Sequence, residues 1–206
     1  MNVPASDAAP AVPSPTRLVL ARHGETDWSR TGRHTGRTDV PLTDRGRDQA
    51  ERLGVALRGR TFSRVLSSPL ARALDTCRLA GFGDRVEIDN DLREWDYGAY
   101  EGRTRVEIAA DVPGWTVWTH PIVDGESLED LGRRADRVID ATLPTGGDVL
   151  LFSHGHFLRI LAARWIEQSP GLGSRLELAT ATLSELGWEQ DRRVIEGWNA
   201  SNDRVG

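Results

Sequence analysis

Three short apolar runs constrain this chain more than any other feature. Each has the length of a buried strand, stops at a polar loop, and is followed by a helical pattern. Arg17–Ala21 stops at Arg22-His23-Gly24-Glu25; after Pro41-Leu42, helical spacing appears at Ala50, Leu53, Ala56 and Leu57, with Thr43 as N-cap and an end near Gly59. Arg64–Ser67 is followed by Ser68 as an N-cap, Pro69 at the first helical position and a helix over Leu70–Ala80. Asp148–Phe152 stops at Ser153-His154-Gly155-His156 before an apolar helix with Leu158, Ile160, Leu161 and Trp165. A weaker strand falls at Val86–Ile88, and Ser127 with Asp130 opens a helix whose apolar face runs through Leu128, Leu131, Ala135, Val138, Ile139 and Thr142. Strands alternating with helices predict an α/β fold, a three-layer α/β/α sandwich around a mainly parallel sheet. Ligands of such sheets sit at the carboxyl ends of the strands, so Arg22-His23, Ser67–Arg72 and His154–His156 are expected on one edge.

The rest of the chain fits one domain over residues 16–206. Residues 1–15, with four prolines among Ala, Ser and Val, read as a disordered tail. Asp91–Gly102 is polar and aromatic with neither period and reads as a functional loop; Thr104–Ala110 is a short helix and Pro113–Gly125 is irregular. Residues 180–198 read as two strands joined near Glu189-Gln190-Asp191. This apolar segment, with Trp188 and Trp198, fits a sheet edge or a homodimer interface equally well. There is no lysine, so all 26 basic residues are arginine, which excludes a Schiff-base lysine and a P-loop. With 31 acidic residues the net charge is -5, which offers no general attraction to nucleic acid or an anionic membrane. Cys77 is the only cysteine, so an intrachain disulfide and a multi-Cys metal site are excluded. No run is long enough to span a membrane and no secretory signal is visible, so a soluble cytoplasmic protein is expected.

The chemistry of the shared edge follows from its residue types. Two guanidinium forks, Arg22 and Arg72, suit an anion, and a phosphoryl group fits them with one face left open to attack. Neutral imidazole needs no prior deprotonation, so His23 or His154 can be the nucleophile and the other a donor. Glu94, if the polar loop folds over this edge, can protonate the leaving oxygen and then activate water. Each residue also has a plainer reading: packing for the histidines, solvation for Arg72 and Glu94, and metal ligation for the His154-Gly155-His156 triplet. The tryptophans read as core and rim packing, His34 and His120 have no evident local partner, and Cys77 reads as a small apolar residue.

Leu20-Ala21-Arg22-His23-Gly24-Glu25-Thr26 resembles the signature of the histidine phosphatase, or phosphoglycerate mutase-like, superfamily. The likeness continues through Trp28, Thr35-Gly36, Asp39, Pro41-Leu42-Thr43 and Gly46, then Ser67–Thr76, Leu92–Gly102 and Ser153–His156, in the family's order. It spans about residues 17 to 165 and implies a phosphoglycerate mutase-like fold and a phosphomonoesterase that needs neither metal nor cofactor. His23 would form a phosphohistidine, Arg22, Arg72 and His154 would surround the phosphate, and Glu94 would be the proton donor. Ser29, Thr35, Gly36, Tyr97, Gly155, His156 and Arg159 would line the pocket for a small phosphorylated substrate. Mutases of the family carry Asn where Ser29 stands, and a longer insertion with an arginine pair after the acid loop. The short stretch from Thr104 to Glu126 lacks that pair, which favours a phosphatase over a phosphoglycerate mutase; an inactive phospho-ligand sensor is the non-enzymatic alternative. The details resemble the branch of actinobacterial acid phosphatases and fungal sugar-bisphosphatases such as sedoheptulose bisphosphatase. On this reading His156 and Arg159 hold a second group of a sugar phosphate. The need for neutral His23 and protonated Glu94 together implies a bell-shaped pH dependence.

Overall fold

The central strands carry apolar residues on both faces, and the two faces bury different sets. In the computed structural model, which describes residues 15–201, β1 (Arg17–Arg22), β2 (Arg64–Ser67), β3 (Val86–Ile88) and β4 (Asp148–Ser153) are parallel, while β5 (Leu183–Glu189) and β6 (Arg192–Ala200) extend the sheet antiparallel to their neighbours, in the order β3-β2-β4-β1-β5-β6. Leu18, Leu20, Leu66, Val149 and Leu151 face helices α5 (Leu128–Thr142) and α6 (Gly155–Trp165). Val19, Ala21, Val65, Leu150 and Phe152 face α2 (Asp44–Ala56) and the segment following α3 (Ala71–Cys77). The period-2 alternation of the strands therefore separates the two helical layers, as the three-layer reading requires. The expected tail lies outside the described residues apart from Pro15, and no described helix is long and apolar enough to cross a membrane.

Most element boundaries follow the cap residues. Thr43 caps α2 through Gly46 N–H at 3.0 Å, Thr104 and Glu107 form the capping box of α4 (Arg105–Asp111), and Ser127 caps α5. The hairpin of β5 and β6 turns at Gln190-Asp191 and lies at the sheet edge, where the Trp188 indole bonds to Thr16 O and the Trp198 indole to Glu177 O. Helix α2 stops at Ala56, short of Gly59. Ser68 does not cap α3, which begins at Ala71 with its first N–H held by Asp39 Oδ1 at 2.7 Å; the Ser68 hydroxyl takes the Leu70 N–H at 3.3 Å just before the helix and meets His154 Nε2 at 2.8 Å. Gly81, with φ of 88°, breaks the helix that was expected to run through Ala80 into a wider turn over Arg78–Phe82. A five-residue helix, α1 (Asp27–Thr31), escaped the pattern because it buries no residue, although Thr26 and Ser29 form its capping box.

Close backbone contact fixes the loop after β1. A Cβ on Gly24 would lie 2.3 Å from Gly46 O, and one on Gly46 would lie 2.1 Å from Glu25 O, so the first turn of α2 rests directly on the His23–Glu25 backbone. Gly46→Ala tests this contact. Alanine gains up to about 1 kcal/mol of helix propensity, but backbone cannot yield as a side chain does, and overpacking of this kind costs about 1–3 kcal/mol. The variant is expected to melt several degrees below wild type; an unchanged or raised melting temperature would show that the loop has slack.

Candidate active site

The register of the sheet assembles the site. Arg22 pairs with Ser153 and Ser67 with Phe152, so the residues that follow β1, β2 and β4 emerge side by side at the carboxyl edge. His23 and His154 then meet with ring centroids 5.2 Å apart. His23 is buried, and its Nδ1 lies 2.7 Å from Gly24 O. A carbonyl only accepts, so Nδ1 carries the proton and the Nε2 lone pair is free. His154 has no exposed surface; its Nδ1 accepts from Arg72 Nε at 3.2 Å, which leaves Nε2–H to donate to Ser68 Oγ at 2.8 Å.

Arg72, expected either to meet an anion or to be solvated, is not solvated. It is fully buried and donates to the carbonyls of Thr35 (2.9 Å), Gly36 (3.0 Å) and Thr38 (3.0 Å) as well as to His154, which ties the segment after α1 to the site. Thr35 and Gly36 thus turn their carbonyls to Arg72, and Gly36 N–H goes to Glu101. The half-buried Arg22 donates to Leu178 O and keeps Nε unpartnered. A Cβ on Gly155 would come within 3.1 Å of its Cζ, so that glycine makes room for the guanidinium. Ser29 spends its hydroxyl on the α1 cap and still faces the cavity.

Glu94 sits over the same edge. Its Oε1 accepts from the N–H groups of Trp95 and Phe157, both at 2.9 Å, and its Oε2 from His156 N–H at 3.0 Å, so the first turn of α6 positions the carboxyl group. Arg134, which sequence reasoning overlooked, holds the loop from beneath. It is buried, donates to the carbonyls of Asp91, Arg93 and Glu94, and pairs with Glu126 at 2.7 Å. Its place on the otherwise apolar stripe between Leu131 and Val138 is the signal that would have revealed it. Glu101, likewise overlooked, pins the N–H groups of Gly36 and Thr38.

A cavity of about 180 Å³ is lined by Arg22, His23, Glu94, Tyr97, His156 and Arg159, together with Ser29, Thr35, Gly155 and the overlooked His34, whereas Arg72 and His154 are fully buried and take no part in its lining. Gly36 lies instead on an adjoining cavity of about 850 Å³ that shares Glu94. Arg22, Arg72 and Arg159 surround the site and, among the described residues, none has a carboxylate within ion-pair distance, whereas surface arginines such as Arg137 do. No set of three or more His, Cys, Asp or Glu able to hold a metal gathers among the described residues.

Burial and the neighbouring guanidinium groups hold His23, His154 and His156 neutral, well below the ordinary imidazole value. Burial and then Glu94 push the Tyr97 hydroxyl upward, so it stays protonated, and because it is buried with His156 Nδ1, at 2.6 Å, as its sole partner among the described hydrogen bonds, we assign its O–H as the donor to that nitrogen. A depressed folded-state value has a definite sign: below pH 6.5, the ordinary imidazole value, the unfolded chain takes up protons that the native state refuses, and stability is lost as pH falls. Thermal unfolding at pH 7.5 and pH 5.0 is therefore expected to show a lower melting temperature at pH 5.0. An equal or higher one would mean that these imidazoles are charged in the folded protein.

Comparison with known proteins identifies the family to which the chain belongs. The family model of the histidine phosphatase superfamily (branch 1) matches residues 18–201. An acid phosphatase of Mycobacterium tuberculosis is 45% identical over 183 residues, covering 87% of this chain and 90% of that protein. Sedoheptulose 1,7-bisphosphatase of Saccharomyces cerevisiae is 34% identical over 197 residues, 80% of this chain and 71% of that one. A probable phosphoglycerate mutase of Salmonella arizonae is 30% identical over 192 residues, 88% and 89% of the two chains. A solved structure of a Mycobacterium tuberculosis open reading frame product superposes with a TM-score of 0.85 at 41% identity, over 91% of this chain and 98% of that one. This protein belongs to the histidine phosphatase superfamily, branch 1, and is a phosphoric monoester hydrolase.

Proposed function

We propose that the protein hydrolyses the phosphate monoesters of sugars or other small phosphorylated metabolites through a phosphohistidine on His23. The observation that carries this reading is a neutral imidazole with a free Nε2, set among three guanidinium groups that have no carboxylate partner. Such a pocket is short of negative charge, and a phosphoryl group supplies it. In the first step the Nε2 lone pair attacks phosphorus, the P–O ester bond breaks, and the Glu94 carboxyl proton goes to the leaving oxygen. In the second, Glu94 as carboxylate takes a proton from water, the water oxygen attacks phosphorus, and the P–N bond breaks to restore His23. Arg22, Arg72 and His154 stabilise the charge spread over the equatorial oxygens in both steps. The acid phosphatase and bisphosphatase names of the relatives support the reading.

The test is release of inorganic phosphate from an aryl phosphate, 3-phosphoglycerate, fructose 1,6-bisphosphate and sedoheptulose 1,7-bisphosphate, with chelator present. Release by wild type, at least a thousandfold lower in His23→Ala, is expected, since a nucleophile of this kind has no substitute in the pocket. The acid limb of kcat/KM should fall below pH 6.5, because His23 stays neutral beneath that value. Interconversion of 2- and 3-phosphoglycerate without net phosphate release would make the protein a mutase, and ligand binding without turnover would make it a sensor.

Arg159 gives the substrate proposal its own test. Its Nε donates to Gly173 O at 2.9 Å and its guanidinium lies 4.7 Å from the Trp118 ring centroid, which fixes a cation at the end of the cavity formed by His156 and Tyr97. Arg159→Ala is expected to lower kcat/KM for a bisphosphate about tenfold more than for a monophosphate. Equal effects on both would remove Arg159 from recognition of a second anionic group.

A further inference from the structure

His34 lies outside the phosphoryl-transfer machinery and is built with more care than packing requires. Its backbone N–H and its ring Nδ1 both point at Arg103 O, at 2.9 and 2.8 Å, while its own carbonyl accepts from Gly102 N–H at 2.8 Å. The backbone clamp and the ring bond fix the side chain to the far end of the acid loop. Because the carbonyl only accepts, Nδ1 carries the proton and Nε2 is left as a bare acceptor, with no protein partner among the described hydrogen bonds, on a residue that lines the cavity.

His156 presents the opposite character. Tyr97 donates to its Nδ1, so its Nε2 carries a proton and is a donor. The two rings are parallel within 3° with centroids 6.4 Å apart, and Tyr97 stands edge-on to both, at 4.9 Å from His34 and 5.9 Å from His156. One fixed acceptor therefore faces the cavity beside one fixed donor. The guanidinium groups at this end are those of Arg33, already paired with Glu107, and Arg159, and the carboxylates that act on His34 are Glu94 and Glu101, both held by backbone N–H groups. A neutral acceptor and a neutral donor at this spacing match hydroxyl groups, each of which gives one hydrogen bond and takes another.

We propose that His34 is a specificity-determining residue that, together with His156, selects a polyhydroxylated leaving group by accepting a hydrogen bond from one of its hydroxyls while His156 donates to the same or a neighbouring one. The proposal rests on the phosphatase reading above and narrows its substrate class to polyol phosphates over alkyl or aryl phosphates of similar size. Packing alone does not account for the residue. The edge contacts of His34 with Tyr97 and with Trp115, the latter at 5.2 Å, are as available to phenylalanine, which has no acceptor to fix and no need of the Arg103 carbonyl.

The experiment compares ribose 5-phosphate with n-pentyl phosphate, which has the same chain length and no hydroxyls, in wild type, His34→Phe and His34→Gln. Wild type should favour the polyol in kcat/KM by about tenfold, since a buried acceptor left without its donor opposes binding of the alkyl ester. His34→Phe should lose most of that preference, with the loss carried in KM for the polyol, and His34→Gln, whose amide oxygen can still accept, should recover part of it. A merely structural role would lower both substrates together and leave their ratio unchanged, and that result overturns the proposal. So does a wild type that releases phosphate from both esters equally, a measurement that needs no variant to fold. Absence of phosphate release from either ester would instead overturn the phosphatase reading beneath it.

Discussion

The structure turns on a positive charge buried without a counter-charge. Arg72 has no exposed surface and no ion pair, and its guanidinium is held by three carbonyls and one imidazole nitrogen. Removing a full charge from water costs several kcal/mol even when hydrogen bonds replace the lost hydration, so such a residue persists only where the surroundings are organised around it. Here that organisation is the site itself. The carbonyls come from Thr35–Thr38, the imidazole from the end of β4, and Arg72 from the first turn of α3, so one side chain joins three stretches remote in sequence. Burial first, and then the charge of Arg72 and that of Arg22, keep His23 neutral. On the proposed phosphatase reading, a dianionic group entering the cavity would relieve the excess charge.

The second organising charge works by the opposite rule. Arg134 is also buried, but it has Glu126 as a partner and uses its remaining N–H groups on the carbonyls of the acid loop. A paired, fully bonded guanidinium gives rigidity while adding little to the local potential, its charge being the last-ranked of those that hold His154 neutral. The loop over Asp91–Gly102 has no helix or strand of its own beyond two short turns, and its fixed shape comes from Arg134 below, from the α6 N–H groups that hold Glu94, and from Glu101, which clasps the segment carrying Thr35. The Glu94 carboxyl is thus set by contacts to three separate elements, which is the rigidity that the proposed role in both steps of the reaction would require.

How much of this was legible in the sequence depended on range. The strands and most helices were readable because their causes are local: apolar runs of strand length, and cap residues such as Thr43, Thr104 and Ser127 beside the turns they close. The convergence of Arg22, His23, Arg72 and His154 was readable from topology, since parallel strands deliver their following loops to one edge. Glu94 was readable only through the family's motif, because no local pattern says where an irregular loop will lie. What escaped were pairings between distant segments. Ser68 looked like a helix cap from its neighbours, yet its hydroxyl serves His154, 86 residues away in the chain, and Asp39 caps α3 in its place. His34 seemed partnerless for the same reason: Arg103 is 69 residues further on.

The two ends of the cavity divide recognition in a way that follows from these charges. At one end, on the proposed reading, Arg22, Arg72 and the neutral imidazoles of His23 and His154 would attract a dianion with little regard for what it is attached to. A site of that kind alone would accept any phosphate monoester. At the other end the protein places neutral groups whose hydrogen-bonding character is fixed by a second bond on each ring, His34 to the Arg103 carbonyl and His156 to the Tyr97 hydroxyl. Fixing the tautomer is what turns an imidazole from an adaptable group into a selective one, because an unpartnered ring can present either nitrogen as donor or acceptor and so rejects little. Discrimination between leaving groups then rests on polar atoms that would be left unsatisfied by the wrong one, which is a stronger filter than shape in so small a pocket.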